Sequence, residues 1–312
     1  MTRSLLLLGA LLGPGVLAAP ASPPVAPASA SAPSLLPHLD VGAPAWKPYL
    51  VKPPVLITTR LDSQDGGCGT HASGLLLKQA KALPAGQYVV SFDARTVGGT
   101  LTVQYGLNDR TTATADLTGS WRGYQQTFTW DGGAKITTAA VRAENVNRVF
   151  QITENVEKNT PWEVRRLSVR RRAANGTLGP NLLPTQDPQA APWLPYCAAA
   201  KLTTTVMFLG RDASADNPRS GVLYSLAPKN LPAGQYRVSF TGRSLSGPME
   251  IVYGLNDGNT RTALLDREWT PFTADFRLAA PKGQGDRVVQ LFETGPRNTP
   301  WEIRDLRVEK LP

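Results

Sequence analysis

The sequence has few of the side chains that most often perform catalysis or hold a metal ion. Among its 312 residues there are two histidines and two cysteines. The Cys68-x-x-His71 spacing would suit zinc, but a zinc site needs further ligands and none is evident. A glycoside hydrolase would need two carboxylates flanking a bond, and no such pair is indicated. We therefore predict a non-catalytic protein rather than an enzyme.

Long apolar runs and helical periodicity are also scarce. The apolar run Leu5–Leu12 is shorter than the roughly 20 residues that span a bilayer. It follows Arg3 and precedes small residues, so residues 1–18 are predicted to be a secretory signal peptide. Residues 19–33 are almost entirely Ala, Pro and Ser and are predicted to form an extended spacer. We expect an exported protein, secreted or associated with the cell envelope, with no transmembrane span.

What the chain has in quantity is repetition. Three motifs occur twice, the first two at a spacing of 148 residues and the third at 139: Leu83–Tyr88 and Leu231–Tyr236, Tyr105–Asp109 and Tyr253–Asp257, Asn159–Glu163 and Asn298–Glu302. Sixteen of the 27 positions in 83–109 are identical to 231–257. A repeat of this length is a copied domain rather than a solenoid unit. We predict a first module at 34–172, a linker at 173–180 and a second module at 181–312.

The two cysteines lie at non-equivalent positions of the two repeats. A disulfide between Cys68 and Cys197 would join the modules and is permitted outside the cytoplasm. The sequence does not say whether their Cα atoms reach the required separation of about 4.4–6.8 Å. The pairing therefore stays open.

Apolar residues alternate with polar ones inside each module. Tyr88, Val90 and Phe92 share one face of a predicted strand, and Ser91 and Asp93 share the other. This period of two, bounded by Gly, Pro, Asn and Asp turns, is typical of antiparallel strands with one buried face. The chain is predicted to be all-β, with two tandem antiparallel β-sandwich domains of the jelly-roll type.

The last predicted strand of each module changes phase. Trp162 and Val164 share one face, whereas Leu167 and Val169 share the other. One extra residue between the two pairs, a β-bulge, would return all four side chains to the core. The same shift occurs in 301–308, so a bulge is predicted in both modules.

Four motifs in a fixed order resemble the carbohydrate-binding modules of the CenC type, a branch of the galactose-binding-like jelly rolls. They are an opening Asn-Leu-Leu-Pro at 181–184, the Leu-Pro-Ala-Gly-Gln-Tyr strands at 83–92 and 231–240, the strands led by Trp121 and Trp269, and the closing strands at 162–169 and 301–308. The resemblance covers nearly all of both modules. It implies a jelly-roll fold and a polysaccharide or cell-wall glycan as the partner.

No cofactor is predicted. That family often holds a structural calcium ion through an Asp of the last strand, but here Glu163 and Glu302 stand near that point. Together with Asp40 and Asp187, these are the carboxylates that could hold calcium. The favoured interpretation of all four is that they are solvated surface groups.

Eight polar residues are the candidate ligand-binding side chains. They are Arg95, Asn108, Asp109, Glu154, Arg243, Asn256, Asp257 and Glu293, four at equivalent positions of each module. Amides and carboxylates can recognise sugar hydroxyls, and arginines can donate to hydroxyls or to anionic groups. For the Asn-Asp pairs the alternative is local, because both residues also close turns by bonding their own backbone.

The tryptophans invite a role as sugar-stacking platforms. Four of them begin strands or follow Thr-Pro turns and are instead predicted to fill the core: Trp121, Trp162, Trp269 and Trp301. Trp46 and Trp193 lie in proline-rich segments together with Tyr49 and Tyr196. Of all the aromatic residues, those in these two segments are the strongest candidates for exposure.

The chain is basic, with a formal net charge of +9, which favours anionic partners such as envelope polymers. The first module ends in an arginine cluster, Arg165, Arg166 and 170–172, that we predict to be a solvated sheet edge. No aromatic residues are interleaved with it, so no specific nucleic-acid binding is predicted.

These observations favour an exported, non-catalytic protein with two carbohydrate-binding-like modules that binds a polysaccharide or a cell-envelope glycan. Each module would present its own shallow groove, and two weak sites could act together by raising the effective concentration. The alternative is a structural or protein-interaction protein of the cell envelope that uses the same fold without binding sugar.

Overall fold

The computed structural model describes most of the chain after residue 32. The described stretches are 33–36, 39–41, 45–50, 54–62, 73–108, 111–133, 147–154, 160–190, 192–197, 201–209, 220–226, 229–279, 286–294 and 299–312. The predicted signal peptide, the spacer apart from its last residue, Cys68 and Asp109 lie outside them, as does the side chain of Cys197. Within these stretches no helix occurs, and so none that is long and apolar enough to cross a membrane.

Nineteen strands make up the described structure. In the first half of the chain they are β1 (Trp46–Leu50), β2 (Val55–Asp62), β3 (Ser73–Lys78), β4 (Gly86–Thr96), β5 (Leu101–Asn108), β6 (Thr111–Leu117), β7 (Arg122–Trp130), β8 (Arg148–Glu154), β9 (Trp162–Arg172) and β10 (Leu178–Asn181). In the second half they are β11 (Trp193–Cys197), β12 (Lys201–Phe208), β13 (Ser220–Ser225), β14 (Gly234–Ser244), β15 (Met249–Asn256), β16 (Asn259–Leu265), β17 (Thr270–Leu278), β18 (Arg287–Glu293) and β19 (Trp301–Lys310).

The strands form three antiparallel sheets. A large sheet has the order β17-β14-β19-β12-β2-β9-β4-β7, with β10 paired to β9. The first small sheet has the order β11-β3-β8-β5-β6, and the second has β1-β13-β18-β15-β16. The all-β antiparallel prediction is therefore confirmed. The finer assignment to a jelly-roll type stays a prediction.

Two hydrophobic cores lie between the large sheet and the small sheets. The first contains Trp162 from the large sheet and Phe150 from the first small sheet, both fully buried. The second contains Trp301 from the large sheet and Ile251 from the second small sheet. Each core, together with the small sheet and the part of the large sheet that enclose it, forms one sandwich. We call them the first and second sandwich. The large sheet is continuous through the β2–β12 pair, so two separate tandem domains are not confirmed.

Each sandwich is completed by the opening segment of the other repeat, where the opening segments are residues 34–50 and 181–197. Strand β1 of the first opening segment pairs with β13, and its Trp46 lies in the second core. Strand β11 of the second opening segment pairs with β3, and its Trp193 lies in the first core. The predicted module boundaries stay a prediction, but the packing of the chain crosses them.

The two opening segments meet through a reciprocal pair of hydrogen bonds. The Asp187 carboxylate accepts from the Leu39 N–H at 2.8 Å, and the Asp40 carboxylate accepts from the Gln186 N–H at 2.8 Å. Both carboxylates are buried, at 3% and 2% exposure for Asp40 and Asp187. Their interpretation as solvated surface groups is therefore wrong, because each one satisfies backbone donors of the crossing segment.

Trp46 and Trp193, the strongest candidates for exposed aromatic residues, are buried. Trp46 is 2% exposed and packs on Tyr224 at 5.2 Å, and Trp193 is 6% exposed and packs on Phe150 at 5.7 Å. Their proline-rich segments form strands β1 and β11 at the ends of the small sheets. Strand pairing, which the sequence pattern did not indicate, brings these rings into the cores.

The repeated motifs near 83 and 105 serve the fold in both halves. The Tyr88 hydroxyl donates to the Pro84 carbonyl at 2.6 Å, and Tyr236 donates to Pro232 at the same distance. At Gly106 a Cβ atom would lie 2.0 Å from the Thr111 carbonyl oxygen, so only glycine fits. Packing thus accounts for the repeated tyrosines and for the repeated glycine of these motifs.

The predicted bulges are confirmed in β9 and β19. The pairing of β4 with β9 shifts register between Ser91 and Asp93, and the pairing of β14 with β19 shifts between Ser239 and Thr241. The extra residues include Arg166 and Asp305, whose φ angles are 54° and 56°. Strand β9 is paired with β2, β4 and β10, so the interpretation of its arginines as a sheet edge is wrong.

Candidate functional site

The outer face of the large sheet carries a row of polar side chains across six strands. Direct cross-strand pairing places them in the order Asp93, Arg165, Thr58, Thr205, Arg304 and Thr241. Side chains that oppose each other on neighbouring strands lie on the same face. Thr58 and Thr205 are 147 residues apart and pair with each other, so a local two-fold axis passes between them.

A second row flanks the first on each side of this axis. In the first half, Glu163 of β9 lies between Arg95 of β4 and Arg60 of β2. In the second half, Glu302 lies between Arg243 and Met207. The ion pairs are short, with Arg95 Nε at 2.7 Å from Glu163 Oε2 and Arg243 Nε at 2.7 Å from Glu302 Oε2.

Two tryptophans lie over these arginines. The Trp121 ring has Arg165 Cζ at 4.0 Å and Arg95 Cζ at 4.8 Å from its centroid. The Trp269 ring has Arg304 Cζ at 4.3 Å and Arg243 Cζ at 4.6 Å. Each half of the face therefore holds a tryptophan in cation–π contact with two guanidinium groups.

These side chains surround an open depression of about 330 Å³, which we call the central groove. Its lining consists of Thr58, Arg60, Arg95, Val97, Trp121, Glu163, Arg165, Thr203, Thr205, Met207, Arg243, Trp269, Glu302 and Arg304. Aromatic surface, hydroxyls, carboxylates and guanidinium groups thus face one space. The groove belongs to both repeats, whereas the sequence predicts one groove in each module.

The halves of the groove differ in how their arginines are neutralised. Asp93 accepts from Arg165 Nε at 3.3 Å and from Arg166 Nη1 at 3.2 Å. The residue equivalent to Asp93 in the second half is Thr241, which carries no charge. As a result Arg304 Nε has no hydrogen-bond partner among the described residues, and its nearest carboxylate contact is Asp305 at 3.8 Å.

The first half has a second difference. Arg60 Nε donates to Asp62 at 2.7 Å, whereas the equivalent positions in the second half hold Met207 and Leu209. An aliphatic thioether and an exposed leucine replace an ion pair there. The first half is therefore the more polar, and each arginine that lines it is hydrogen-bonded to a carboxylate.

The prediction that Trp121 and Trp269 fill the core is wrong. Both rings are half-buried and rest on arginine side chains of the outer face. Trp162 and Trp301 do fill the cores, as predicted, at 0% and 1% exposure. The sequence could have indicated this position of Trp121 and Trp269. Arg95 and Arg243 occupy outward positions of equivalent strands, where a tryptophan on the same face can pack against them.

Of the eight candidate ligand-binding residues, Arg95 and Arg243 line the groove. Asn108, Glu154, Asn256 and Glu293 lie in strands of the small sheets and Asp257 lies in the turn after β15, and none of them lines the groove. Asn108 is 1% exposed at the end of β5, and Asp109 lies outside the described residues. Asn256 accepts from the Gly258 N–H and from Asn259 Nδ2, each at 3.1 Å. For Asn256 the local turn-closing alternative is what the structure contains.

Asp257 has partners from two parts of the chain. It accepts from Arg287 Nη1 at 3.0 Å and from the hydroxyl of Tyr49 at 3.2 Å. Tyr49 belongs to the first opening segment and stacks on Phe292 at 4.1 Å. The Asp257 carboxylate thus helps to attach β1 to the second sandwich. A ligand-binding role for it stays a prediction.

Glu154 and Glu293 occupy the far ends of the small sheets from the Asn-Asp turns. Val103 pairs with Glu154, and Asn108 lies five residues further along β5, about 16–17 Å away at a strand's rise. Each carboxylate is buried and accepts from a serine hydroxyl, Ser73 for Glu154 and Ser220 for Glu293. Burial raises the pKa of Glu293, and the hydrogen bond from Ser220 opposes that rise.

The four carboxylates considered for calcium do not converge. Glu163 and Glu302 are ion-paired in the groove, and Asp40 and Asp187 bind backbone N–H groups of the opening segments. Within the described stretches, no group of three or more His, Cys, Asp or Glu side chains could hold a metal ion.

Comparison with known proteins adds only distant similarity. No protein-family model matches the chain, and no curated protein matches it. Two solved structures of Bacillus subtilis oxalate decarboxylase variants are similar at 10% sequence identity, with TM-scores of 0.22 and 0.21. These alignments cover 83% and 85% of this chain and 69% and 74% of those chains. Similarity at this level carries no argument about function.

Proposed function

We propose that this protein is an exported, non-catalytic carbohydrate-binding protein, and that its ligand is a polysaccharide or cell-envelope glycan held in the central groove. The observation that carries the proposal is the pair of tryptophans, each flanked by two arginines, on either side of one polar depression. Indole rings offer a flat apolar surface to a sugar, and the adjacent polar groups can bond its hydroxyls.

The polar groups of the groove suit hydroxyl-rich ligands. A carboxylate paired with an arginine places hydrogen-bond acceptors beside donors. A sugar hydroxyl can donate to the carboxylate and accept from the arginine. Glu163 and Arg95 form one such pair, and Glu302 and Arg243 form the other. The hydroxyls of Thr58 and Thr205 add smaller donors and acceptors on the floor between them.

The groove also suits one ligand better than two. Both of its halves open into the same space about the Thr58–Thr205 pair. A chain-like ligand can cross this axis and meet both tryptophans. One ligand then contacts both halves of the groove at once, and the second contact raises the affinity of the protein for that ligand.

The test is a glycan array of neutral and anionic polysaccharides, followed by calorimetric titration of any soluble ligand found. We expect one ligand site per chain, and about a tenfold or greater loss of affinity in each of Trp121→Ala and Trp269→Ala. Arg237→Ala is the matched control, because Arg237 lies on β14 with Arg243 but pairs with Asp275 outside the groove.

Two outcomes would contradict the proposal. One is the absence of binding to every glycan at millimolar concentration by the intact protein. The other is binding that survives in the Trp121→Ala/Trp269→Ala double variant while the thermal midpoint stays at the wild-type value. The latter result would place any sugar site elsewhere, and the former would favour a structural or protein-interaction role for this fold.

A further inference from the structure

The two halves of the central groove differ in how their arginines are hydrogen-bonded. In the first half, each arginine that lines the groove donates a hydrogen bond to a carboxylate, Arg165 to Asp93 and Arg60 to Asp62. Arg95 is held by Glu163. Every arginine that lines the first half is therefore hydrogen-bonded to a carboxylate. Asp93 also accepts from Arg166, which does not line the groove.

In the second half, one of the arginines that line the groove lacks such a hydrogen bond. Glu302 accepts from Arg243, and Arg304 has no carboxylate hydrogen bond among the described residues. Asp305 lies at 3.8 Å, beyond hydrogen-bond range, and its side chain is 63% exposed. A single exposed pair at that separation contributes little, because water screens it.

The surroundings of Arg304 suit an anionic group of a ligand. Trp269 covers one side of its guanidinium group at 4.3 Å, and Thr205 opposes it on the neighbouring strand. The side chain is 35% exposed, so part of the guanidinium group faces the groove. Guanidinium groups bind carboxylate, sulfate and phosphate oxygens through a planar set of donors, and a neighbouring hydroxyl can add another.

We propose that the central groove is specific for an acidic glycan and that Arg304, with the Thr205 hydroxyl beside it, holds an acidic group of that glycan. The inference rests on the proposed function and specifies the chemical class of the glycan ligand. The acidic group is taken up in the second half only. The first half, whose groove-lining arginines are already hydrogen-bonded to carboxylates, takes a neutral part of the same ligand against Trp121.

Swapping one residue between the halves tests this assignment. Thr241→Asp gives Arg304 the carboxylate that Asp93 gives Arg165. Asp93→Thr removes the carboxylate hydrogen bond of Arg165, and that of Arg166 with it. The ligands are a hexamer of galacturonic acid and the same hexamer with every carboxyl group methylated. This ligand pair differs in charge and has the same sugar backbone.

We expect the wild type to bind the acidic hexamer about tenfold or more tightly than the methylated one. Arg304→Gln and Thr241→Asp should remove that preference, Arg304→Lys should retain part of it, and Asp93→Thr should increase it. Circular dichroism and thermal midpoints confirm that each variant is folded. Arg237→Ala, on the same sheet face, should leave the preference unchanged.

The outcomes separate the inference from the proposed function. Equal affinity for both hexamers in the wild type, or an unchanged preference in Arg304→Gln, would overturn the inference and leave glycan binding standing. A preference that falls in Arg304→Gln but not in Thr241→Asp would also overturn it, because neutralisation by a carboxylate would then not control the site. Loss of all binding in the Trp121→Ala/Trp269→Ala variant tests only the proposed function.

Discussion

At the scale of single residues, burial of a carboxyl group makes the second sandwich sensitive to pH. Glu293 is 3% exposed, and its Oε1 accepts from the Ser220 hydroxyl. Its Oε2 has no hydrogen-bond partner among the described residues. Desolvation disfavours the charged form of such a group, and it accounts for the raised pKa of Glu293 in the folded protein.

Replacing Glu293 by glutamine should remove this pH dependence. Below the unfolded-state pKa of about 4.3, Glu293 is protonated in both states and costs nothing. As pH rises through that value the unfolded state ionises first, so the fold loses stability until the raised folded pKa is passed. We therefore expect the free energy of unfolding of Glu293→Gln, relative to wild type, to increase from pH 4 to pH 7 in urea titrations.

The control for this change is Glu268→Gln, which alters an exposed glutamate outside the core. Its difference from wild type should stay flat across the same pH range. If the Glu293→Gln difference were flat as well, or fell as pH rises, the carboxyl group would not be titrating at a raised pKa. The short bond to Ser220 would then outweigh desolvation.

At the scale of the strand, the bulges in β9 and β19 decide what the central groove contains. Each bulge lets Trp162 and Val164, and likewise Trp301 and Ile303, face the core together with the apolar residues that follow. It also places the arginines of the row on the outer face. The sequence predicts the bulge, because the apolar pattern changes phase at the same point in both repeats.

The backbone at the bulge has a conformation that can be tested by substitution. Asp305 has a φ of 56°, in the left-handed region, where a β-branched residue is strongly disfavoured and glycine is not. We expect Asp305→Val to lower the free energy of unfolding by about 1–2 kcal/mol, and Asp305→Gly to change it by much less. Urea unfolding of the two variants provides the measurement.

The exposure of Asp305 keeps this comparison clean. Its side chain is 63% exposed and its contact with Arg304 is 3.8 Å, so neither substitution removes packing or a strong ion pair. Leu264→Val, at an exposed strand position with an ordinary backbone, is the control for β-branching. Equal losses in Asp305→Val and Asp305→Gly would mean that the carboxylate, rather than the backbone conformation, matters there.

At the scale of the whole molecule, the sequence predicts the layers but not which segments complete them. Alternation of apolar residues identifies most strands and the duplication identifies two cores, because both depend on local periodicity. The opening segments are different. Residues 45–50 and 192–197 have the same Trp-x-x-Tyr pattern, so each could complete either sandwich.

The central groove could not be predicted from the sequence for the same reason. Its floor is the β2–β12 pair, and no local pattern states that Thr58 opposes Thr205. Arg95 and Arg243 are 148 residues apart and line one groove only because the large sheet is continuous. Candidates such as Glu154, in contrast, were polar residues at duplicated positions whose burial no local pattern indicates.

Each opening segment completes the sandwich of the other repeat, so a substitution in one segment should destabilise the other repeat. A simple tandem arrangement predicts the opposite. Trp46→Ala removes a buried ring from the second core and should cost about 3–5 kcal/mol there. In hydrogen-exchange mass spectrometry, protection should fall in β13 and β18, although Trp46 belongs to the first repeat. Trp193→Ala should lower protection in β3 and β8 of the first repeat.

Each variant is the control for the other. If protection fell instead in the repeat that carries the substitution, each opening segment would complete its own sandwich, and the continuous groove would lose the packing that supports it from both repeats.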